Sequence, residues 1–144
     1  MIPQPPAAPH IHTVQVPWGH SDPAGIVFYP NFFAFFDEAT WALFYAAGLS
    51  LEVMRERYGC LGIPLIDAQA SFRLPCRFRD VLTIESRIAE VSQKTFTVQH
   101  VVLNAGRRAL TGREIRIWGI THPDDPMRLK AIPLPAEVLK ALGV

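Results

Sequence analysis

The sequence predicts an α+β fold, an antiparallel sheet of about five strands wrapped around one long central helix. Three observations carry this expectation. Apolar residues between Pro30 and Gly48 recur at helical spacing, and those from residue 63 onward alternate as in strands. The order of elements then runs strand, long helix, and at least four meandering strands. At 144 residues and 49% hydrophobic, the chain is long enough for one core and short for two. Residues 11–144 therefore read as a single domain behind a proline-rich, flexible segment at 1–10.

Taken in order, residues 11–18 alternate Ile11, Thr13 and Gln15 against His12, Val14 and Val16, which suits a first strand ending near Pro17. Residues 19–28 hold the turn formers Gly19, Ser21, Asp22, Pro23 and Gly25 and read as a loop. Pro30 fits the first position of a helix, where a missing N–H costs nothing. Phe32, Phe36, Ala39, Leu43 and Ala46 then form one stripe. Phe33, Phe35, Trp41 and Phe44 widen it, so this helix is expected to be covered on nearly every side, with Gly48 as its stop. A short charged helix is expected over Leu51–Tyr58, ending at Gly59. Strands follow over 63–74, 81–91, 94–103 and 108–121, the last two joined by a hairpin turn at Asn104-Ala105-Gly106. Residues 135–142 suit a short terminal helix.

Composition removes several classes of function. A formal charge of +1 provides no concentrated basic face for nucleic acid. No apolar run reaches the ~18 residues of a membrane span, because Asp37 and Glu38 break the richest stretch. The first ten residues carry no Lys or Arg and no apolar core of an export signal. Cys60 and Cys76 lack CxxC spacing and read as free thiols, so the expected compartment is the cytoplasm. The five histidines are scattered without HExxH or Cys/His pairing, and neither metal nor cofactor is expected. There is no P-loop, no dinucleotide glycine pattern and no GxSxG elbow.

What remains is a carboxylate. On the residues alone Asp22 has two readings. In one it is a turn former whose side chain bonds nearby backbone N–H groups. In the other it works with the unpaired N–H groups that open the following helix, which form a ready anion site. Pro30 donates nothing, so the amides of Gly25, Tyr29 and Asn31 are the candidate donors. A carboxylate beside such donors can attack, or activate water toward, a carbonyl whose oxygen they hold.

The run from Asp22 to Phe32, DPAGIVFYPNF, resembles the D-P-A-G-[IV]-V-[FWY]-Y-P-N-[FY] signature of the 4-hydroxybenzoyl-CoA thioesterase family. Weaker similarity covers ASF at 70–72, DVLTIE at 80–85, KTF at 94–96 and REIRIW at 113–118. The resemblance implies the hot-dog fold and hydrolysis of an acyl-CoA to free acid and CoA. An aromatic acyl group of the 4-hydroxybenzoyl kind is expected, with short or medium aliphatic acyl-CoA as the alternative. By the same resemblance Asp22 is the catalytic carboxylate, the backbone N–H of Tyr29 polarises the thioester carbonyl, and Gly25 permits close approach of backbone to substrate. Pro30 and Phe32 belong to the substrate contact at the helix start, and Lys94 and Lys130 match basic residues under the nucleotide end of CoA, with Arg128 a nearby substitute. Homo-oligomers are implied, dimers paired edge to edge or homotetramers, with active sites between subunits.

Many family members carry an acid two places before the catalytic aspartate, where this chain has His20. That ring is expected to pack in the loop or to tune Asp22. Asp37 and Glu38 lie on the long helix, where another hot-dog branch places its carboxylate, and rank second to Asp22. Ser71, Thr95 and His100 are candidates to read a ring substituent, and the phenylalanines at 32–36 read as core or as acyl wall. Two other functions stay open. Hydration of enoyl thioesters would want a His soon after the Asp, and none follows Asp22 until His100. A non-catalytic acyl-CoA-binding protein is the other.

Overall fold

The computed structural model describes residues 7–144. Residues 1–6 of the expected flexible segment lie outside these, and His10 already belongs to the first strand, β1 (His10–Gln15). The long helix α1 (Pro30–Ala46) opens on the expected proline, and Gly48, with φ +78°, turns the chain away just past its end. In α2 (Leu51–Tyr58) the Ser50 hydroxyl accepts the Val53 N–H, and Gly59 at φ 65° closes the helix.

The remaining elements are β2 (Cys60–Gly62), β3 (Leu65–Phe72), β4 (Val81–Val91), β5 (Phe96–Asn104), β6 (Arg107–Arg116), β7 (Trp118–His122), β8 (Asp125–Ile132) and α3 (Ala136–Ala141). β1, β4, β5, β6 and β3 form one antiparallel five-stranded sheet, in that order. The β5–β6 hairpin turns through Ala105 and Gly106, both at positive φ, as its Asn/Gly signal requires.

Two corrections concern the end of the chain. The strand expected over 108–121 breaks at Ile117, whose N–H donates to the Pro64 carbonyl instead of continuing the ladder. Beyond it, β7 joins a second sheet of order β2-β7-β8. β8 carries no alternation because it is an edge strand exposed from Pro126 to Lys130.

α1 packs against the large sheet in the hot-dog arrangement. Its first half places Phe32, Phe35, Phe36 and Ala39 against Leu82, Ile84, Val102 and Leu110. Its second half buries Leu43 and Phe44 with Met54, Phe96, Trp118 and Val138. The helix is not covered on nearly every side, however: Ala34, Glu38, Tyr45 and Ala46 are exposed, because the sheet reaches only one side.

The inward positions of β6 are Leu110, Gly112, Glu114 and Arg116. Gly112 makes room for Phe36: a Cβ added there would stand 2.4 Å from the Phe36 Cζ. That ring is fully buried and stacks on His100 with centroids 5.0 Å apart, so it has nowhere to go. Gly112→Ala is therefore expected to destabilise the fold by about 1–3 kcal/mol, the usual cost of overpacking. Urea unfolding measures it, and an unchanged midpoint would mean that the ring yields freely.

Between the two apolar halves runs a buried polar belt. Glu114 Oε1 accepts from His100 Nε2 at 2.8 Å and from the Thr40 hydroxyl, while His100 Nδ1 accepts the Ser86 hydroxyl at 2.7 Å. Arg116 donates from one guanidinium nitrogen to Glu114 Oε2 and Asp37 Oδ1, both at 2.6 Å, and from another to the Ile63 carbonyl at 2.8 Å. The belt fastens α1 to β4, β5 and β6.

Candidate active site

The loop before α1 is closed by its own backbone. Ser21 and Val27 form an antiparallel bridge, Asp22 N–H donates to the Ile26 carbonyl at 2.8 Å, and Gly25 N–H donates to the Asp22 carbonyl at 2.9 Å. Gly25 turns the chain at φ +82°, a conformation that suits glycine. The Val27 N–H donates to the Cys76 carbonyl and the Phe28 N–H to the His20 carbonyl. Asn31 Nδ2 donates to that same His20 carbonyl at 3.0 Å, tying the first turn of α1 to the loop.

Asp22 makes the turn-former bond and leaves its other oxygen free. Its Oδ1 accepts the Ala24 N–H at 2.8 Å, the bond of a turn former, while Oδ2 has no partner among the described residues. At the helix start no side chain caps α1, and no acceptor among the described residues takes the Tyr29 N–H. Tyr29 is helical in backbone although it precedes a proline, a placement that Pro30 itself disfavours. The free amide carries the partial positive charge of the helix end.

These groups meet at one pocket of about 410 Å³, whose wall includes Asp22, Tyr29, Phe32, Phe72, Arg73 and Cys76. Burial, with the Asp80 carboxylate nearby, pushes the Cys76 thiol up to about 11, so it stays protonated and is no nucleophile. Asp22 is the carboxylate of the pocket wall, and Phe32 and Phe72, with rings 5.7 Å apart, give it an aromatic side.

Of the expected site residues, the pocket brings together Asp22, Tyr29 and Phe32. Gly25 shapes the loop, and Pro30 starts the helix outside the pocket wall. Lys94, Arg128 and Lys130 do not line this pocket: Lys94 lies in the β4–β5 turn and the other two on β8. The Asp22 loop sits at the Val81 end of β4 and Lys94 beyond the Val91 end, about 30 Å away along a strand of this length. Among the phenylalanines, Phe35 stacks on His20 and Phe36 on His100, so only Phe32 of that run reaches the pocket. His20 thus packs in the loop. Asp37 is engaged by Arg116, and Glu38 pairs with His12 at 3.1 Å. His100 is fully buried in the polar belt and cannot read a substrate ring there.

Phe72 and Arg73 were not singled out in the sequence. They arrive from the end of β3, and nothing local marks them as partners of Asp22.

Residues 16–142 match the family described as the thioesterase-like superfamily. The 4-hydroxybenzoyl-CoA thioesterase of Pseudomonas sp. (strain CBS-3) is 33% identical over 133 residues, 88% of this chain and 92% of that protein. A crystal structure of an Asp-to-Asn variant of 4-hydroxybenzoyl-CoA thioesterase, in complex with 4-hydroxybenzoyl-CoA, is 32% identical with a TM-score of 0.85. The match covers 94% of this chain and 99% of that one. A gentisyl-coenzyme A thioesterase structure is 29% identical with a TM-score of 0.77, covering 92% and 98%. No helix among the described residues is long and apolar enough to cross a membrane.

Proposed function

The chain belongs to the thioesterase-like superfamily, and from that premise we propose that it hydrolyses acyl-CoA thioesters to free acid and CoA, with an aromatic acyl group of the 4-hydroxybenzoyl kind. One observation carries the reading: a single pocket holds a carboxylate with a free oxygen, an unpartnered helix-start amide and an aromatic wall. The similar proteins that act on 4-hydroxybenzoyl-CoA and gentisyl-CoA support an aromatic substrate.

In this mechanism the thioester carbonyl oxygen accepts the Tyr29 N–H, and the N-terminus of α1 stabilises the negative charge that develops on it. Asp22 Oδ2 either bonds to the carbonyl carbon, forming a mixed anhydride that water then opens, or takes a proton from the water that attacks. By both routes the C–S bond breaks, sulfur leaves with the electron pair and is protonated as the CoA thiol, and the oxygen of water completes the turnover. Tyr29 serves through its backbone, so Tyr29→Ala should keep kcat far above the loss of about 10²–10³ that follows removal of an oxyanion donor. A loss of that size would assign the role to the phenol.

A panel of 4-hydroxybenzoyl-, phenylacetyl-, octanoyl- and crotonoyl-CoA, followed by thiol release, tests the activity. Fastest release from the aromatic esters is expected. Fastest release from octanoyl-CoA would move the assignment to aliphatic substrates. Binding without release would indicate a non-catalytic protein, and hydration of crotonoyl-CoA without thiol would indicate a hydratase.

Assembly belongs to the same proposal. Lys94 stands too far from the pocket of its own chain to serve it, and in this reading it acts with Arg128 and Lys130 on the pocket of a second copy. Edge strand β3 leaves Leu65 and Ile66 exposed, and the open face of α1 is likewise uncovered, which supports a homodimer or a dimer of dimers. Sedimentation at the mass of one chain would overturn it.

A further inference from the structure

Where β3 ends, the chain turns along the wall of the Asp22 pocket. The N–H groups of Arg73 and Leu74 both donate to the Ala109 carbonyl, at 2.8 and 3.0 Å. This shared acceptor fixes the backbone that carries Phe72, Arg73 and Leu74 past the pocket. Asp22 and Arg73 are the two charged residues of the wall, and the rest of the lining is aromatic or otherwise uncharged.

The two charges share the pocket without neutralising each other. Among the described residues Arg73 forms no ion pair, and Asp22 Oδ2 has no partner. Hydrolysis gives Asp22 its task and leaves Arg73 with none. The carbonyl oxygen is held by the Tyr29 N–H, and a guanidinium neither takes nor gives up a proton in this chemistry. A neutral acyl group lying against Phe32 and Phe72 would strip water from the Arg73 charge and return nothing. A carboxylate on that group would meet the planar fork with two parallel N–H···O bonds.

The phosphates of CoA do not serve this charge. They stand a whole pantetheine arm from the thioester carbonyl, whereas Arg73 lines the same pocket of about 410 Å³ as Asp22, which works at that carbonyl. The matching anion therefore belongs to the acyl end. We infer that Arg73 is a specificity residue, and that the acyl ring it receives carries a carboxylate. This rests on the thioesterase reading and adds a second acidic group to its aromatic substrate class.

Two measurements on the full chain test it. The first follows thiol release from 3- and 4-carboxybenzoyl-CoA and from the matching carbamoylbenzoyl-CoA esters, which have the same shape but no charge. All four carry the same CoA, so contacts to the nucleotide cancel. In the wild type one carboxylate isomer should exceed its carboxamide about 10- to 100-fold in kcat/KM, the range of a charge-assisted hydrogen bond. Arg73→Gln should erase that preference by slowing the carboxylate ester alone. Arg77→Gln is the control, and the preference should survive it: this guanidinium lies 4.0 Å from where a Cβ on Gly25 would stand, but off the pocket wall. Equal losses on acid and amide, no preference in the wild type, or the same loss in Arg77→Gln would overturn the assignment. The second measurement needs no turnover. Calorimetric titration with 3- and 4-acetylbenzoate, whose ketone takes the place of the thioester, should give heat that Arg73→Gln abolishes. Heat that persists in the variant would place the carboxylate elsewhere. Binding of these ketones without thiol release from any ester would sink the thioesterase reading and keep this site; thiol release with no preference for the acid would do the reverse.

Discussion

Asp22→Asn should lower kcat for the preferred aromatic acyl-CoA by about 10²–10⁴-fold, the contribution expected of a positioned base or nucleophile, with KM little changed. The substitution is a clean one because the fold does not need the charge. The Asp22 Oδ1 accepts the Ala24 N–H at 2.8 Å, and an asparagine carbonyl oxygen accepts that bond equally well. The turn, the Ser21–Val27 bridge and the start of α1 therefore stay in place. What the variant loses is the charged oxygen that has no partner among the described residues. Thiol release measured on protein checked by mass spectrometry for deamidated wild type reads the effect. A fall of less than about tenfold would falsify the assignment.

The rival carboxylates separate from Asp22 by what they hold. Asp37 accepts from Arg116 at 2.6 Å and Glu38 pairs with His12, both on the flank of α1. If either were the reacting group, its neutral isostere would abolish turnover while Asp22→Asn spared it. The present geometry expects the opposite order, because neither lies on the wall of the pocket that holds Asp22, the free Tyr29 amide and the aromatic pair.

How much of this was legible depends on whether a residue's neighbours are local. α1 and the strands of the large sheet declare themselves because each has one buried face, and its spacing repeats along the chain. The DPAGIVFYPNF run could be read whole because its loop, helix start and first pocket phenylalanine are contiguous. β8 could not, since an exposed edge strand with a proline has no face to conserve in its pattern. The split at Ile117 depends on the Pro64 carbonyl, a partner remote in sequence. The polar belt was within reach: continuing the inward parity of Leu110 lands on Gly112, Glu114 and Arg116, and two charges at core positions signal a paired network. Phe72 and Arg73 needed coordinates, because only the folded chain sets them on the wall of the Asp22 pocket.

Glu114→Ala should cost about 3–5 kcal/mol of unfolding free energy, the usual result of breaking a buried ion pair from one side. Glu114 and Arg116 are almost wholly buried, and removing the carboxylate takes away the charged acceptor shared by the Thr40 hydroxyl, His100 and one nitrogen of Arg116. Arg116 keeps Asp37 and the Ile63 carbonyl, so the belt is weakened without being emptied. The same group gives the fold an acid limit. Burial alone pushes the Glu114 carboxyl up, but the hydrogen bonds from His100, Arg116 and Thr40, with the Arg116 charge, outweigh it and hold it below its ordinary 4.5. The unfolded carboxyl then takes a proton before the folded one does. Its contribution is present in full above pH 4.5 and lost as pH falls from there through the lower folded value. Urea midpoints followed from neutral pH into acid should show a decline below that point that flattens in Glu114→Gln; a parallel decline in both proteins would place the acid sensitivity elsewhere. Ser86, His100 and Glu114 have the composition of a hydrolytic triad, yet the serine and histidine have no exposed surface and the glutamate is 1% exposed. Ser86→Ala should therefore move the urea midpoint and leave thiol release unchanged, since an acyl group that reaches Asp22 does not reach the belt.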